Sequence, residues 1–415
     1  MELERREFLH AAAGAAILAG TRATASAAGD RGPLFAPSRA AGRAPLEAGA
    51  AASYEPWLEI DAAALHHNAR EIARLAGNLP VLAVIKNNAY GLGVARVGTV
   101  LETSAAVSGF AVVKPEEALA LRNAGVRKPI LLMGLADVET GIELASRDVQ
   151  LAAFTDDAGQ RLTAVARAIG RPVSAHLYVD TGMSRMGLPH QRALPWAEAL
   201  TREPHIRVEG TFTELAEIDD FDDAQVARFD AFARAARGRG IALGALHVSS
   251  SHALFFRPGA RFDMVRPGLV LYGAYPAGAR TTALAALRPA FRLRARVVRV
   301  ERVEAGDGVS YGRNYVAQRP TWIATLAVGH ADGYPRRAVQ GAEVLVGDRL
   351  YRVIGAVSAS HTILEIGDEP TIEIGDVATL VGPDHESVLP NTLAERAGIS
   401  VYDVLMHLSA ELAKR

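Results

Sequence analysis

Between about residues 57 and 272 the chain repeats one pattern: a short, unbroken apolar run, then an amphipathic stretch rich in Ala, Arg and Glu. The runs include 81–85, 109–113, 130–133, 175–179, 208–212 and 243–248. A strand with one wet face alternates apolar and polar residues. A run that is apolar at every position is covered on both faces, as parallel strands are when crossover helices flank them. About eight such units fit the span, and a parallel sheet of that size closes naturally into a barrel. The fold expected is α/β, with an N-terminal (β/α)8 TIM-like barrel over residues 54–288.

The texture changes after Pro289. Residues 292–298, 321–326 and 343–346 alternate polar and apolar, and Gly-Asp pairs recur at Gly306-Asp307, Gly347-Asp348, Gly367-Asp368 and Gly375-Asp376. This spacing predicts a mostly antiparallel β domain over 289–415, closed by a terminal helix around 392–412.

The first residues read as an address rather than as fold. Arg5-Arg6 precedes a weakly apolar run, and Ala25-Ser26-Ala27 offers small residues at alternate positions. Residues 1–27 resemble a twin-arginine-type signal peptide, which implies an exported, periplasmic or extracellular protein. Residues 28–53, rich in Ala, Gly, Pro and Arg, read as a flexible linker. No later segment is apolar enough to predict a membrane span.

Composition narrows the chemistry. The net charge is −1, with no basic run and 6% aromatic residues, so nucleic-acid binding lacks both its electrostatic and its stacking basis. With no cysteine, disulfides and thiolate catalysis are out, and the scattered histidines show no metal-ligand spacing.

One lysine stands out. Val84-Ile85-Lys86 ends an apolar strand and runs into Asn87-Asn88-Ala89-Tyr90-Gly91-Leu92-Gly93. Burying an ammonium is costly, and desolvation favours the neutral, nucleophilic amine that Schiff-base chemistry uses. A lysine snorkelling from a strand end reads equally well from this feature alone.

The wider string resembles the cofactor-lysine motif of alanine racemases and their pyridoxal-phosphate-dependent relatives. The opening segment Trp57-Leu58-Glu59-Ile60-Asp61, with Ala64, Leu65 and Asn68, is similar to theirs as well. The resemblance implies that Lys86 forms the Schiff base with pyridoxal 5'-phosphate and that Tyr90 hydrogen-bonds its phosphate. Val265-Arg266-Pro267-Gly268-Leu269 resembles the segment at the far end of the family's barrel. By that likeness Arg266 faces the pyridine nitrogen, while Gly268 and Leu269 offer backbone N–H groups to the phosphate. Arginine does not give up its proton, so the nitrogen it faces stays unprotonated and the ring is a weaker electron sink, which favours racemisation over side reactions. Ser251, in His247-Val248-Ser249-Ser250-Ser251, matches the phosphate-binding serine; Ser250 stands where the family has asparagine. Gly308-Val309-Ser310-Tyr311-Gly312-Arg313 resembles the second catalytic motif. It implies that Tyr311 moves the proton on the face of Cα opposite Lys86, donated across the interface of a homodimer.

Several positions depart from the family pattern. Asp180-Thr181-Gly182-Met183-Ser184-Arg185 keeps the arginine that would meet the substrate carboxylate, but Tyr178 replaces a lysine that many relatives carbamylate to brace it. Glu214 replaces a histidine over the ring, and His330 a tyrosine. Ala359 replaces a methionine, leaving only its backbone N–H for a carboxylate, and Ala410 is read as replacing an entrance tyrosine. These losses cluster around the substrate and imply tolerance of side chains larger than methyl. The function expected is racemisation of alanine and of some larger amino acids. Alternatives are another enzyme of this fold type, a decarboxylase or D-amino-acid lyase, and a catalytically degenerate cofactor-binding envelope protein.

Overall fold

The computed structural model describes residues 54–282 and 284–415; the expected signal peptide and linker lie outside the described residues. Seven parallel strands follow one another in chain order: Leu82–Val84, Gly109–Val112, Ile130–Leu132, Val149–Ala153, Val173–Asp180, Ile206–Phe212 and Ala245–His247. Residues 264–267 close the ring. Met264 bridges to His247 and Val265 to Val81, both in parallel. The N–H groups of Leu82 and Val84 donate to the carbonyls of Val265 and Pro267 at 2.9 and 2.8 Å.

The unbroken apolar runs follow from this closure. Successive residues of one strand point to opposite faces, and here neither face is wet. Leu82, Val84, Ala111, Leu131, Tyr178 and Phe212 fill the barrel interior. Their neighbours Ala83, Phe110, Val112 and Leu132 pack outward under the helices. The expectation missed the strand Val149–Ala153, whose run is broken by Gln150.

The second sheet is antiparallel as expected, built on the long strand Phe291–Val303, which pairs with both Thr321–Leu326 and Val377–Val381. Two details correct the expected boundaries. Trp57–Ile60 belongs to this sheet, not to the barrel: it pairs antiparallel with Phe291–Val303 and parallel with Ala413–Lys414. The Trp57 ring sits under the guanidinium groups of Arg415 and Arg296, at 4.5 and 5.6 Å, a contact that only the second domain can supply. The single terminal helix is instead two, Pro390–Ala397 and Val401–Met406. Gly398 adopts the left-handed conformation that stops the first, and the Ser400 side chain caps the second.

The first helix of the barrel is tied to the barrel's last segment. Asn68, fully buried on the helix Ala62–Leu75, donates to the carbonyls of Leu271 and Arg288 and accepts from the Arg288 N–H. Among the described residues no helix is long and apolar enough to cross a membrane.

Candidate active site

The chain leaves the strand Leu82–Val84 through an unusual turn. Asn87, Asn88, Ala89 and Tyr90 all have φ between 53 and 55°. Left-handed backbone costs L residues roughly 1–2 kcal/mol each, so a run of four must be held from outside. Glu117, buried on the helix Pro115–Asn123, is the holder. One carboxylate oxygen accepts from the Asn88 N–H at 2.8 Å; the other accepts from the N–H groups of Val113 and Lys114 at 3.2 and 3.1 Å. The turn folds Tyr90 back so that it and Lys86 line the same cavity.

That cavity, about 320 Å³, opens at the C-terminal ends of the barrel strands. It brings together six of the residues picked out in the sequence: Lys86, Tyr90, Arg185, Ser251, Arg266 and Gly268. Leu269 is fully buried just behind it and does not line it. Lys86 makes no hydrogen bond or ion pair within the described residues. Burial holds its amine below the usual lysine range; Glu214 opposes that shift, Arg185 and Arg266 add to it, and Glu117 opposes it more weakly.

Arg266 is fixed from every side. One terminal nitrogen donates to the carbonyl of His247 and meets its Nδ1 at 3.2 Å. The other donates to the carbonyls of Thr213 and Val248 at 2.7 and 3.2 Å and to the Glu214 carboxylate at 3.1 Å. The guanidinium lies 5.1 Å from the centre of the Phe212 ring, on which Tyr178 also stacks. The Tyr178 phenol is pushed up to about 12, chiefly by burial, so it stays a neutral hydroxyl; Arg185 donates to it. A neutral phenol thus stands beside Arg185 at the position where many relatives carry the carbamylated lysine.

Three of the lining groups suit a phosphate. The Gly268 N–H donates to Ser251 Oγ at 2.9 Å, and a Cβ on Gly268 would lie 2.3 Å from the Tyr90 hydroxyl. Three hydrogen-bonding groups thus converge on a space that any side chain at 268 would fill. With an unpaired strand-end amine lining the same cavity, the residues present fit pyridoxal phosphate.

Tyr311 and Ala359 are not brought to the cavity of their own chain. Tyr311 stands in the second domain, 77% exposed, flanked by Ser310 and Gly312 with φ of 62 and 71°. Ala359 is exposed as well, and its carbonyl accepts from the Ala331 N–H. Tyr402 also lines the cavity, its ring 6.3 Å from Tyr90, while Ala410 is exposed and does not line it.

Sequence reasoning also missed Glu117, His176 and Gln150. His176 accepts or donates at 2.9 Å with His247 and at 3.0 Å with Gln150, extending the polar chain from Arg266 through the barrel interior. The signal was available: a histidine and a glutamine interrupt strands that are otherwise apolar, and buried polar groups need partners.

Comparison with known proteins agrees with this site. The alanine racemase N-terminal domain family matches residues 60–276, and the alanine racemase C-terminal domain family matches 290–415. Alanine racemase of Carboxydothermus hydrogenoformans is 32% identical over 83% of this chain and 95% of its own length. That of Symbiobacterium thermophilum is 33% identical over 84% and 93%. The crystal structure of alanine racemase from D-cycloserine-producing Streptomyces lavendulae superposes with a TM-score of 0.82 at 28% identity, covering 88% of this chain and 97% of that one. With both family models matched and relatives covered over nearly their whole length, the chain belongs to the alanine racemase family, the pyridoxal-phosphate-dependent isomerases that interconvert L- and D-alanine.

Proposed function

We propose that this racemase works as an exported homodimer in which Lys86 and Tyr311 of the partner subunit move the Cα proton on opposite faces of the substrate. One observation carries the reading: Lys86 stands unpaired in the cavity, while Tyr311 of the same chain does not line it and is exposed on strained backbone. Strain of that kind persists where a surrounding structure fixes it, and a docked second copy would do so.

Each residue has a stated task. The Lys86 amine, kept low in proton affinity by burial, removes or returns the proton at Cα. Tyr311 of the partner subunit serves the other face. The Arg185 guanidinium, held by the Tyr178 hydroxyl, orients the substrate carboxylate. Ser251 Oγ, the Gly268 N–H and the Tyr90 hydroxyl hold the phosphate, and Ala359 of the partner subunit leaves room at the entrance. Pyridoxal phosphate, when bound, supplies the delocalisation that makes the Cα proton removable. Arg266 keeps its own proton and so limits that delocalisation, which shortens the life of the charge at Cα and favours prompt reprotonation.

The two-copy site is tested by complementation. Lys86→Ala and Tyr311→Phe should each be nearly inactive alone. Unfolded and refolded together, they should regain about a quarter of wild-type activity, because half the dimers then carry one intact site. No recovery in the mixture would exclude a shared site. For export, Arg5→Lys with Arg6→Lys should shift the full chain from the periplasmic to the cytoplasmic fraction. For breadth, a panel of L-amino acids should show turnover beyond alanine; turnover confined to alanine would remove that part of the reading.

A further inference from the structure

The Glu214 side chain is 26% exposed and faces the cavity; the Arg266 side chain it pairs with is 2% exposed. The other partners of Arg266 are two terminal-nitrogen contacts to His247 and the carbonyls of Thr213 and Val248, all neutral. A buried guanidinium satisfied only by neutral groups remains an uncompensated charge. Glu214 is the only carboxylate paired with it among the described residues.

The same carboxylate shares the cavity with Lys86. The charged groups around that amine come from four elements. Arg185 follows the strand Val173–Asp180, Glu214 follows Ile206–Phe212, and Glu217 stands three residues later at the rim. Arg266 lies on the closing segment, and Glu117 on the helix Pro115–Asn123, its oxygens committed to three backbone N–H groups. Tyr90, Tyr178 and Tyr402, all raised by burial, remain neutral. Two arginines and burial thus press Lys86 toward its neutral form, and Glu214 is the foremost group pressing back. A residue that must both take and return a proton needs such a counterweight.

We propose that Glu214 is a positioning residue of the reaction, anchoring Arg266 from inside the cavity and serving Lys86 as its counter-charge. This rests on Lys86 being the proton-moving amine. The family carries a histidine at the corresponding place, so the carboxylate would set this chain's own pH range.

The test uses full-length, cofactor-free protein, so it reads the amine without needing catalysis. Lys86 acetylation by acetic anhydride is followed against pH by peptide mass spectrometry. Glu214→Gln should lower the midpoint by about one pH unit, a tenfold rise in free amine at a fixed pH on the slope. Glu214→Ala should lower it equally, and Glu214→Asp should restore more than half. The acid limb of kcat/KM in the cofactor-loaded enzyme should move the same way. A midpoint unchanged in both neutral variants overturns the proposal, as does an Asp variant no different from Gln. Loss of racemisation with the midpoint shifts intact would leave this proposal standing and count against the proton-transfer assignment instead.

Discussion

Inside the barrel, Nδ1 of His176 lies 2.9 Å from Nε2 of His247, and their rings meet edge to face. Only one of the two nitrogens can carry the shared proton. Burial first, and then the nearby Arg266 guanidinium, pushes His176 down to about 3 and His247 down as well. Both imidazoles are therefore neutral in the folded protein, while in the unfolded chain each takes up a proton below about pH 6.5. The unfolded state binds the extra protons, so stability is fully present above that pH and is lost as pH falls below it. Once both titrate, the loss is about 2.7 kcal/mol per pH unit for the pair. Urea unfolding followed by tryptophan fluorescence between pH 7 and 4 should show this slope, and His176→Gln should remove about half of it. An unchanged slope in the variant would mean that His176 is charged in the folded state.

Much of this architecture was legible because barrel strands advertise themselves. The run 81–85 has no polar residue to place elsewhere, so its burial on both faces could be read directly. The strand Val149–Ala153 could not, because Gln150 reads as a solvent-facing position until its partner His176 is known. Trp57–Ile60 was assigned to the barrel because the barrel follows it in the chain; its real partner, Phe291–Val303, is more than two hundred residues away, and strand pairing at that distance leaves no local trace. The site divides in the same way. Lys86, Tyr90 and Arg266 sit in dense local strings, whereas Glu117 occupies a helix whose acidic first turn looks like ordinary end-charge placement. Tyr402 was missed because a broken terminal helix, not a continuous one, turns it toward the cavity.

Glu117→Gln tests whether the left-handed turn after Lys86 depends on one carboxylate. The amide replaces an acceptor with a donor, leaving at least one of the N–H groups of Asn88, Val113 and Lys114 facing another donor. An unsatisfied buried donor costs about 1–3 kcal/mol. Unfolding stability should fall by that amount, and loading with pyridoxal phosphate should weaken together with it. If the turn were self-supporting, stability would fall with no change in cofactor affinity.

Gly268 is a position where space, not backbone freedom, demands glycine. Its φ is −122°, open to any residue, but a Cβ would come within 2.3 Å of the Tyr90 hydroxyl. Tyr90 cannot retreat, because its ring packs at 4.8 Å on the fully buried Tyr272. Gly268→Ala should therefore push Tyr90 into the phosphate space and weaken cofactor binding at least about tenfold, or 1.4 kcal/mol. Absorbance titration after dialysis reads this directly. Adding Tyr90→Phe removes the clashing oxygen and should recover part of the loss; a double variant worse than either single one would place the clash elsewhere.

Tyr178→Phe isolates the hydroxyl that braces Arg185. The ring would keep its stack on Phe212 at 4.3 Å and its edge contact with Phe154, so the barrel interior should hold. Only the hydrogen bond to the guanidinium is removed. Hydrogen bonds to charged groups contribute about 1.5–3 kcal/mol, so KM for alanine should rise roughly tenfold or more while the thermal midpoint moves by only a few degrees. Because the phenol stays protonated to about 12, the brace needs no ionisation and no added carbon dioxide. Racemisation should accordingly be indifferent to bicarbonate in the wild-type enzyme. A rate that climbs with bicarbonate, or a KM unmoved by the loss of the hydroxyl, would show that Arg185 is held by some other group.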